Sequence, residues 1–221
     1  MNQTSESSHS PPIGPTGDLY LIAAPSGAGK TSLMRELLAR EPRLALSVSD
    51  TTRPPRSGEV DGEQYHFLGV DEFEAGIEAG DYLEYAKVFG NYYGTRHSRV
   101  EALWASGRDV LLEIDVQGAS QVAGQFPGLC SIFILPPSLE VLAERLRQRG
   151  SDAPEVIERR LSEASREIEA CQSFRWLVVN DRFEQALQEL LAVVRAWPLR
   201  QARQRIELAP LLEASRSRRT I

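Results

Sequence analysis

Cysteine is scarce in this 221-residue chain, with only Cys130 and Cys171. No CxxC or His-rich spacing accompanies them. That argues against a disulfide scaffold or a zinc site and fits a reducing, cytoplasmic setting. The three histidines, His9, His66 and His97, are scattered and read as structural or exposed. No apolar run approaches the ~20 residues of a membrane-spanning helix. An excess of positive charge is also missing: 25 Lys and Arg stand against 31 Asp and Glu, a formal net charge of -6. This argues against non-specific nucleic-acid binding, which needs a basic footprint. It leaves room for a local basic pocket around a small anion. The opening "MNQTSESSHSPPIGPTG" has neither the basic start nor the apolar centre of a signal peptide. Its Ser, Pro and Gly content reads as a disordered leader over residues 1–17.

Hydrophobic residues make up 42% of the chain, enough for a core, and no internal repeat is present. "LYLIAA", "DVLLEID" and "CSIFILP" are short apolar runs of the kind buried on both faces of a parallel sheet. "WLVVN" reads as the last core strand. Helical stripes lie at Leu33–Leu38, at Val100–Trp104 ending at Gly107, after Ser138 as a cap, and again from Pro154. A last stripe through Phe183, Leu187, Leu190, Leu191 and Val194 follows Asp181, which reads as its cap. Alternation of strand and helix at both ends predicts an α/β core with a mostly parallel sheet flanked by helices. The block from Ser49 to Tyr93 is richer in short strands and turns and reads as a small inserted antiparallel lobe. Within it, Asp71 and Glu74 read as a helix N-cap pair, "YLEYAKV" as a strand and "GNYYGTRHS" as a turn. Trp104, Trp176 and Trp197 read as core.

Between "LYLIA" and the first helical stripe lies Ala24-Pro-Ser-Gly-Ala-Gly29-Lys30-Thr31. This is the spacing of a phosphate loop, with Ala24 in place of its first glycine. Glycines let successive backbone N–H groups converge on an anion, and the helix start adds its positive end. Ser26, Gly27, Ala28, Gly29, Lys30, Thr31 and Ser32 are thereby candidates for a nucleoside triphosphate. Lys30 is a point charge for the β/γ phosphates and the Thr31 hydroxyl a Mg²⁺ ligand. In "SVSDTTRPPRSGEVDGEQYHF", Arg53 and Arg56 flank two prolines that stiffen their link, an arrangement suited to a phosphate monoester. A solvated loop with incidental arginines is the equal alternative on spacing alone.

Here the chain resembles the guanylate kinases. "APSGAGKTS", "SVSDTTRPPRSGEVDGEQYHF", "FGNYYGT", "EIDVQG", "FILPPS", "RLRQRG" and "VVND" follow that family's pattern in order, from about Leu19 to Arg200. The resemblance implies a phosphate-loop kinase core, a GMP-binding lobe at about 49–95 and a helical lid at about 145–160. The core would then cover 18–48 and 96–200, within one domain that runs over 18–221 and ends in a helix at 201–221. It implies transfer of the γ-phosphate of ATP to GMP, and to dGMP beside it, with Mg²⁺, in purine nucleotide metabolism. Ser49, Arg53, Arg56, Tyr65 and Tyr93 would contact the GMP phosphate. Glu84, Thr95 and Asp115 would read the guanine, with Ser49 near it too. Arg145, Arg149 and Arg160 would act near the ATP phosphates, and Asn180 would lie beside the adenine. Asp50 is assigned no role.

Carboxylates suit guanine on chemical grounds, because they accept from its N1–H and N2–H₂ donors while adenine lacks the N1–H. For Glu84 the alternative is a solvent-facing residue of a half-exposed strand. For Asp115, at the end of "EID", a Mg²⁺ role through water stays open, and Glu113, two residues earlier on the same face, reads as its support. Two rival functions are a kinase with another acceptor, and a peptide-binding module that has lost catalysis. The expected ligands are ATP and GMP, with no nucleic acid or membrane, on a monomer or a homo-oligomer.

Overall fold

The structure is a computed structural model that describes residues 17–88, 90–148, 154–200, 212 and 215–216. Residues 1–16 of the expected leader, Arg149, and nearly all of the expected terminal helix lie outside the described residues, while Gly17 is buried beside β1. Among the described residues no helix is long and apolar enough to cross a membrane.

A five-stranded parallel sheet forms the centre. Its strands are β1 (Leu19–Ala23), β2 (Leu44–Leu46), β7 (Asp109–Glu113), β8 (Cys130–Leu135) and β9 (Trp176–Val179), in the order β2-β7-β1-β8-β9. All five residues of β1 are buried, as expected of a central strand covered on both faces. Tyr20 and Ile22 point into one cluster with α1 (Lys30–Arg40) and α7 (Phe183–Ala196). Leu19, Leu21 and Ala23 point into the other, with α3 (His97–Ala105) and α4 (Val116–Gln125). The period of two thus assigns alternate residues of one run to two cores.

The inserted lobe holds a second sheet, ordered β4-β3-β6-β5. Its strands are β3 (Asp50–Thr51), β4 (His66–Phe67), β5 (Tyr82–Val88) and β6 (Asn91–Arg96). The β3–β6 and β5–β6 pairs are antiparallel, and β3–β4 is parallel. Phe73 of α2 (Val70–Glu78) stacks on Tyr82 and on Tyr92, at centroid distances of 4.4 and 5.1 Å, and gives the lobe its own small core. The helices α5 (Leu139–Gln148) and α6 (Pro154–Glu169) pack together through Leu142, Leu146, Ile157 and Ala164.

Four local readings need correction. "NYYGTR" is a strand and not part of a turn; its tyrosines and threonine favour the pleat, and Gly94 is demanded by packing, since a Cβ there would lie 2.9 Å from the Glu84 carbonyl oxygen and 3.0 Å from Phe73. Gly69 occupies the N-cap of α2, so Asp71 falls inside the first turn, where its charge favours the helix dipole. Arg182, not Asp181, is the N-cap of α7. Trp176 is 41% exposed because β9 is the sheet edge, whereas Trp104 is buried. Ser138 does cap α5, its hydroxyl accepting from the Val141 N–H at 3.2 Å. The helix α4 falls in a stretch that the sequence reading left without an element.

Candidate active site

The turn from Ala24 to Gly29 leaves the C-terminal end of β1 and delivers Lys30 as the first residue of α1. Gly27 and Gly29 have φ of 95° and 89°, a left-handed backbone that disfavours other residues. Space is equally restrictive: a Cβ on Gly29 would lie 2.4 Å from Asn180 Nδ2, and one on Gly27 would lie 2.9 Å from Leu142. Asn180, just past the end of β9, donates to the Ala28 carbonyl at 2.7 Å and so ties the loop to a strand end two places along the sheet from β1. Gly27, Gly29, Ser32, Arg145, Asn180 and Phe183 line a cavity of about 380 Å³ beside the loop. Arg145 donates through Nη2 to the Asn180 carbonyl at 2.9 Å; its Nη1 is buried with no hydrogen-bond partner among the described residues. A buried, unpaired guanidinium N–H beside an open cavity is a ready donor for an anion. Arg160 is half-buried on α6. Thr31 is exposed on the first turn of α1.

Lys30 Nζ lies 3.4 Å from Glu113 at the end of β7. A second carboxylate, Glu167 of α6, was missed in the sequence. The Ser26 backbone N–H donates to it, and Lys30 attracts it. Burial outweighs both and pushes its pKa up to about 6, with Asp115 adding repulsion. Nothing in its sequence neighbourhood marks Glu167, because its position depends on how α6 lies across the loop.

In the inserted lobe, Arg53 holds Glu59 through both terminal nitrogens, at 3.0 and 2.9 Å, and its guanidinium lies 5.5 Å from the Tyr65 ring centroid. Tyr65 and Tyr93 meet edge to face at 5.7 Å. Burial pushes the Tyr65 hydroxyl up to about 12, and Glu113 adds to this, so this cluster feels the charge that also binds Lys30. Arg56 is exposed beside it, with its backbone N–H on Glu59 at 2.7 Å. The structure therefore groups Arg53, Tyr65 and Tyr93, and leaves the Arg56 side chain at the rim.

Glu84 is the surprise of the lobe. It is only 4% exposed, so the solvent-facing alternative falls. Thr95 donates to its Oε1 at 2.7 Å, and Ser49 Oγ lies 3.3 Å from the Thr95 hydroxyl. Burial pushes the Glu84 carboxyl up to about 7, with Asp115 also raising it against the lowering Thr95 bond. Asp115 caps α4, accepting from the Gly118 N–H at 2.8 Å. A Cβ on Gly118 would lie 2.3 Å from Glu84 Oε2 and 3.5 Å from Asp115 Oδ1, so both carboxylates close over one glycine. Gln121 and Gln125 of α4 fasten β5 by donating to the Tyr85 and Leu83 carbonyls, each at 2.8 Å. Glu84 is thereby pinned between its two neighbours.

A phosphate loop on a central parallel strand, faced by an inserted lobe with a buried acidic pocket, is the build of a phosphate-loop phosphotransferase. The family model described as guanylate kinase matches residues 16–197. The chain is 54% identical over 199 residues to a guanylate kinase of Neisseria gonorrhoeae, covering 90% of this chain and 97% of that one. It is 51% identical over 194 residues to a guanylate kinase of Thiobacillus denitrificans, covering 88% and 92%. Its structure is similar to the crystal structure of guanylate kinase from Anaplasma phagocytophilum, with a TM-score of 0.72 at 32% identity, over 90% of this chain and 95% of that one. The chain belongs to the guanylate kinase family.

Proposed function

We propose that this chain transfers the γ-phosphate of ATP to GMP, and to dGMP, giving ADP and the nucleoside diphosphate. One observation carries the acceptor assignment: a carboxylate at Glu84, buried beside Asp115 and already bonded to a hydroxyl chain through Thr95 and Ser49. Ionised Glu84 and Asp115 accept from guanine N1–H and N2–H₂. An adenine there would leave a buried carboxylate unpaired, and sites built this way discriminate by ~10⁴–10⁵. Arg53, Arg56, Tyr65, Tyr93 and Ser49 take the GMP phosphate, for which Arg53 exchanges part of its bonding to Glu59.

On the donor side, backbone N–H groups from Ser26 to Ser32 and the Lys30 ammonium hold the ATP phosphates. The cavity beside Asn180 takes the adenine. Arg145, Arg149 and Arg160 bring charge to the transferring group, and Arg145 has an N–H to give that is unpaired among the described residues. A GMP phosphate oxygen attacks the γ-phosphorus in line while the bond to the β-bridging oxygen breaks and ADP leaves. Such a transfer needs positioning and charge rather than a covalent nucleophile. The lid over residues 145–160 and the lobe over about 49–95 exclude water as they close.

Mg²⁺ fits the hard oxygen donors present, with the exposed Thr31 hydroxyl as ligand and Asp115 reached through water. Among the described residues no three His, Cys, Asp or Glu side chains are grouped to hold a metal on their own, which suits an ion carried largely by phosphates. Held there, it would supply positive charge to the transferring phosphates. We place the enzyme in the cytoplasm, acting in purine nucleotide metabolism without nucleic acid or membrane.

The test is ADP release from MgATP with GMP, AMP, CMP and UMP offered separately. Turnover with GMP alone is expected. Turnover with another monophosphate overturns the base assignment, and none with any of them, despite ATP binding, overturns the kinase reading.

A further inference from the structure

Asp50 is wholly buried, yet it is a charged residue next to Ser49 at the start of a strand only two residues long. Side chains alternate along a strand, so Asp50 faces away from Ser49 and Thr51. On that far face its Oδ2 accepts from Tyr82 Oη at 2.9 Å and from Arg96 Nε at 2.7 Å. Its Oδ1 accepts from Arg99 Nη1.

These partners divide into two kinds. Tyr82 and Arg96 belong to the lobe itself, and Arg96 is further held by Asp81 at 2.8 Å. Arg99 belongs to α3, which is rooted in the central core by Val100 and Trp104. Arg99 Nη1 also donates to the Val48 carbonyl at 3.3 Å. One guanidinium of the core thus grips the residue before Ser49 and the residue after it. With so short a ladder in β3, these side-chain bonds do much of what backbone pairing does in a longer strand.

We propose that Arg99, through Asp50 and the Val48 carbonyl, is a positioning residue that holds Ser49 at the acceptor pocket. It sets affinity for GMP without touching GMP. The inference rests on the reading of Ser49 as part of the acceptor site. Ser49 reaches Glu84 through Thr95, so a shift of the Ser49 backbone is felt along the whole hydroxyl chain. Misplacement by 1 Å can cost about a hundredfold in a preorganised site, and loss of one of several holding bonds should cost about a tenth of that.

The experiment is calorimetric binding of GMP, and separately of ADP, to the wild type, Arg99→Gln, Ser49→Ala and the double variant. Arg99→Gln should weaken GMP about tenfold and leave ADP unchanged. In the Ser49→Ala background the same substitution should cost less than about threefold, because the residue it positions has lost its hydroxyl. Equal cost in both backgrounds, no cost in either, or matching loss of ADP binding overturns the inference. Circular dichroism checks each fold. If Arg99→Gln is unfolded, Arg99→Lys replaces it, since a single ammonium cannot bracket both groups as the guanidinium does, and the same pattern at smaller size is required. A wild type that fails to bind GMP while binding ADP overturns the acceptor reading itself; a wild type that binds GMP with none of this coupling overturns only the role of Arg99.

Discussion

Thr95 donates its hydroxyl proton to Glu84 Oε1 at 2.7 Å, inside a pocket that leaves Glu84 only 4% exposed. A hydroxyl has one proton to give, so the Ser49 hydroxyl must be the donor in its contact with Thr95 when Glu84 is ionised.

That ionisation is the first point to test. Burial raises the Glu84 carboxyl from 4.5 to about 7. A raised carboxyl means the fold binds a proton that the unfolded chain has lost, so this group makes the free protein less stable as pH rises from 4.5 to about 7. On the proposed acceptor reading GMP takes the ionised form and so opposes the trend. GMP binding should weaken by up to about tenfold per pH unit below the Glu84 pKa and level off above it. Thermal shifts induced by GMP at pH 6, 7 and 8 measure this, and Glu84→Gln should flatten the profile while weakening binding.

Asn180→Ala removes the bond to the Ala28 carbonyl and leaves that buried oxygen unpaired. A cost of about 1–3 kcal/mol is expected, seen as a melting temperature lower by roughly 2–4 °C per kcal/mol for a chain of this size. ADP binding should weaken as well, because the same residue lines the cavity beside the phosphate loop.

Glu167→Gln keeps the shape of a side chain that accepts from the Ser26 N–H but removes its charge. An anion arriving at the phosphate loop then meets less repulsion. ADP should bind roughly two- to fivefold more tightly, the equivalent of about 0.5–1 kcal/mol for a partly solvated charge. The gain should be larger at pH 8 than at pH 5.5, since burial pushes the Glu167 carboxyl up to about 6, so it is mostly protonated at the lower pH and ionised at the higher.

Lys30→Ala should abolish transfer, by about a hundredfold or more, the scale of losing one preorganised charge in a site of this kind. The melting curve should hold its shape, because Lys30 is only half-buried and its close ion pair is the single one to Glu113 at 3.4 Å among the described residues. Single-turnover ADP release checks it, and near-normal turnover would remove Lys30 from the mechanism.

Much of the architecture could be read beforehand because it is written locally. The run before Pro25, the glycines with Lys30, and the stripe Leu33–Leu38 each carry their own physical signal, and β1 and α1 follow them. Where signals conflict, reading fails. "VQGASQVAGQ" has two glycines, small residues and no charge, so α4 is weak by propensity and exists because Ala119 and Val122 are buried and Asp115 caps it. Missing α4 also hid why Glu84 is buried, since the wall over it is Gly118. Trp176 looked like core because an edge strand and a central strand share one composition. Asp50 and Glu167 were silent for a similar reason: their partners lie on elements that only the folded chain brings near.

The bond from Asn180 to Ala28 spans 152 positions. The central strand beside it pairs with β7 and β8, which also lie far along the chain. During synthesis the phosphate loop is therefore made well before the side chain that completes it. The inserted lobe, with its neighbouring strands β5 and β6, can form earlier from local pairing. A nascent chain short of β9 carries every residue of the phosphate loop and still lacks the side chain that fixes it, so the loop takes its final form only once Asn180 has been made.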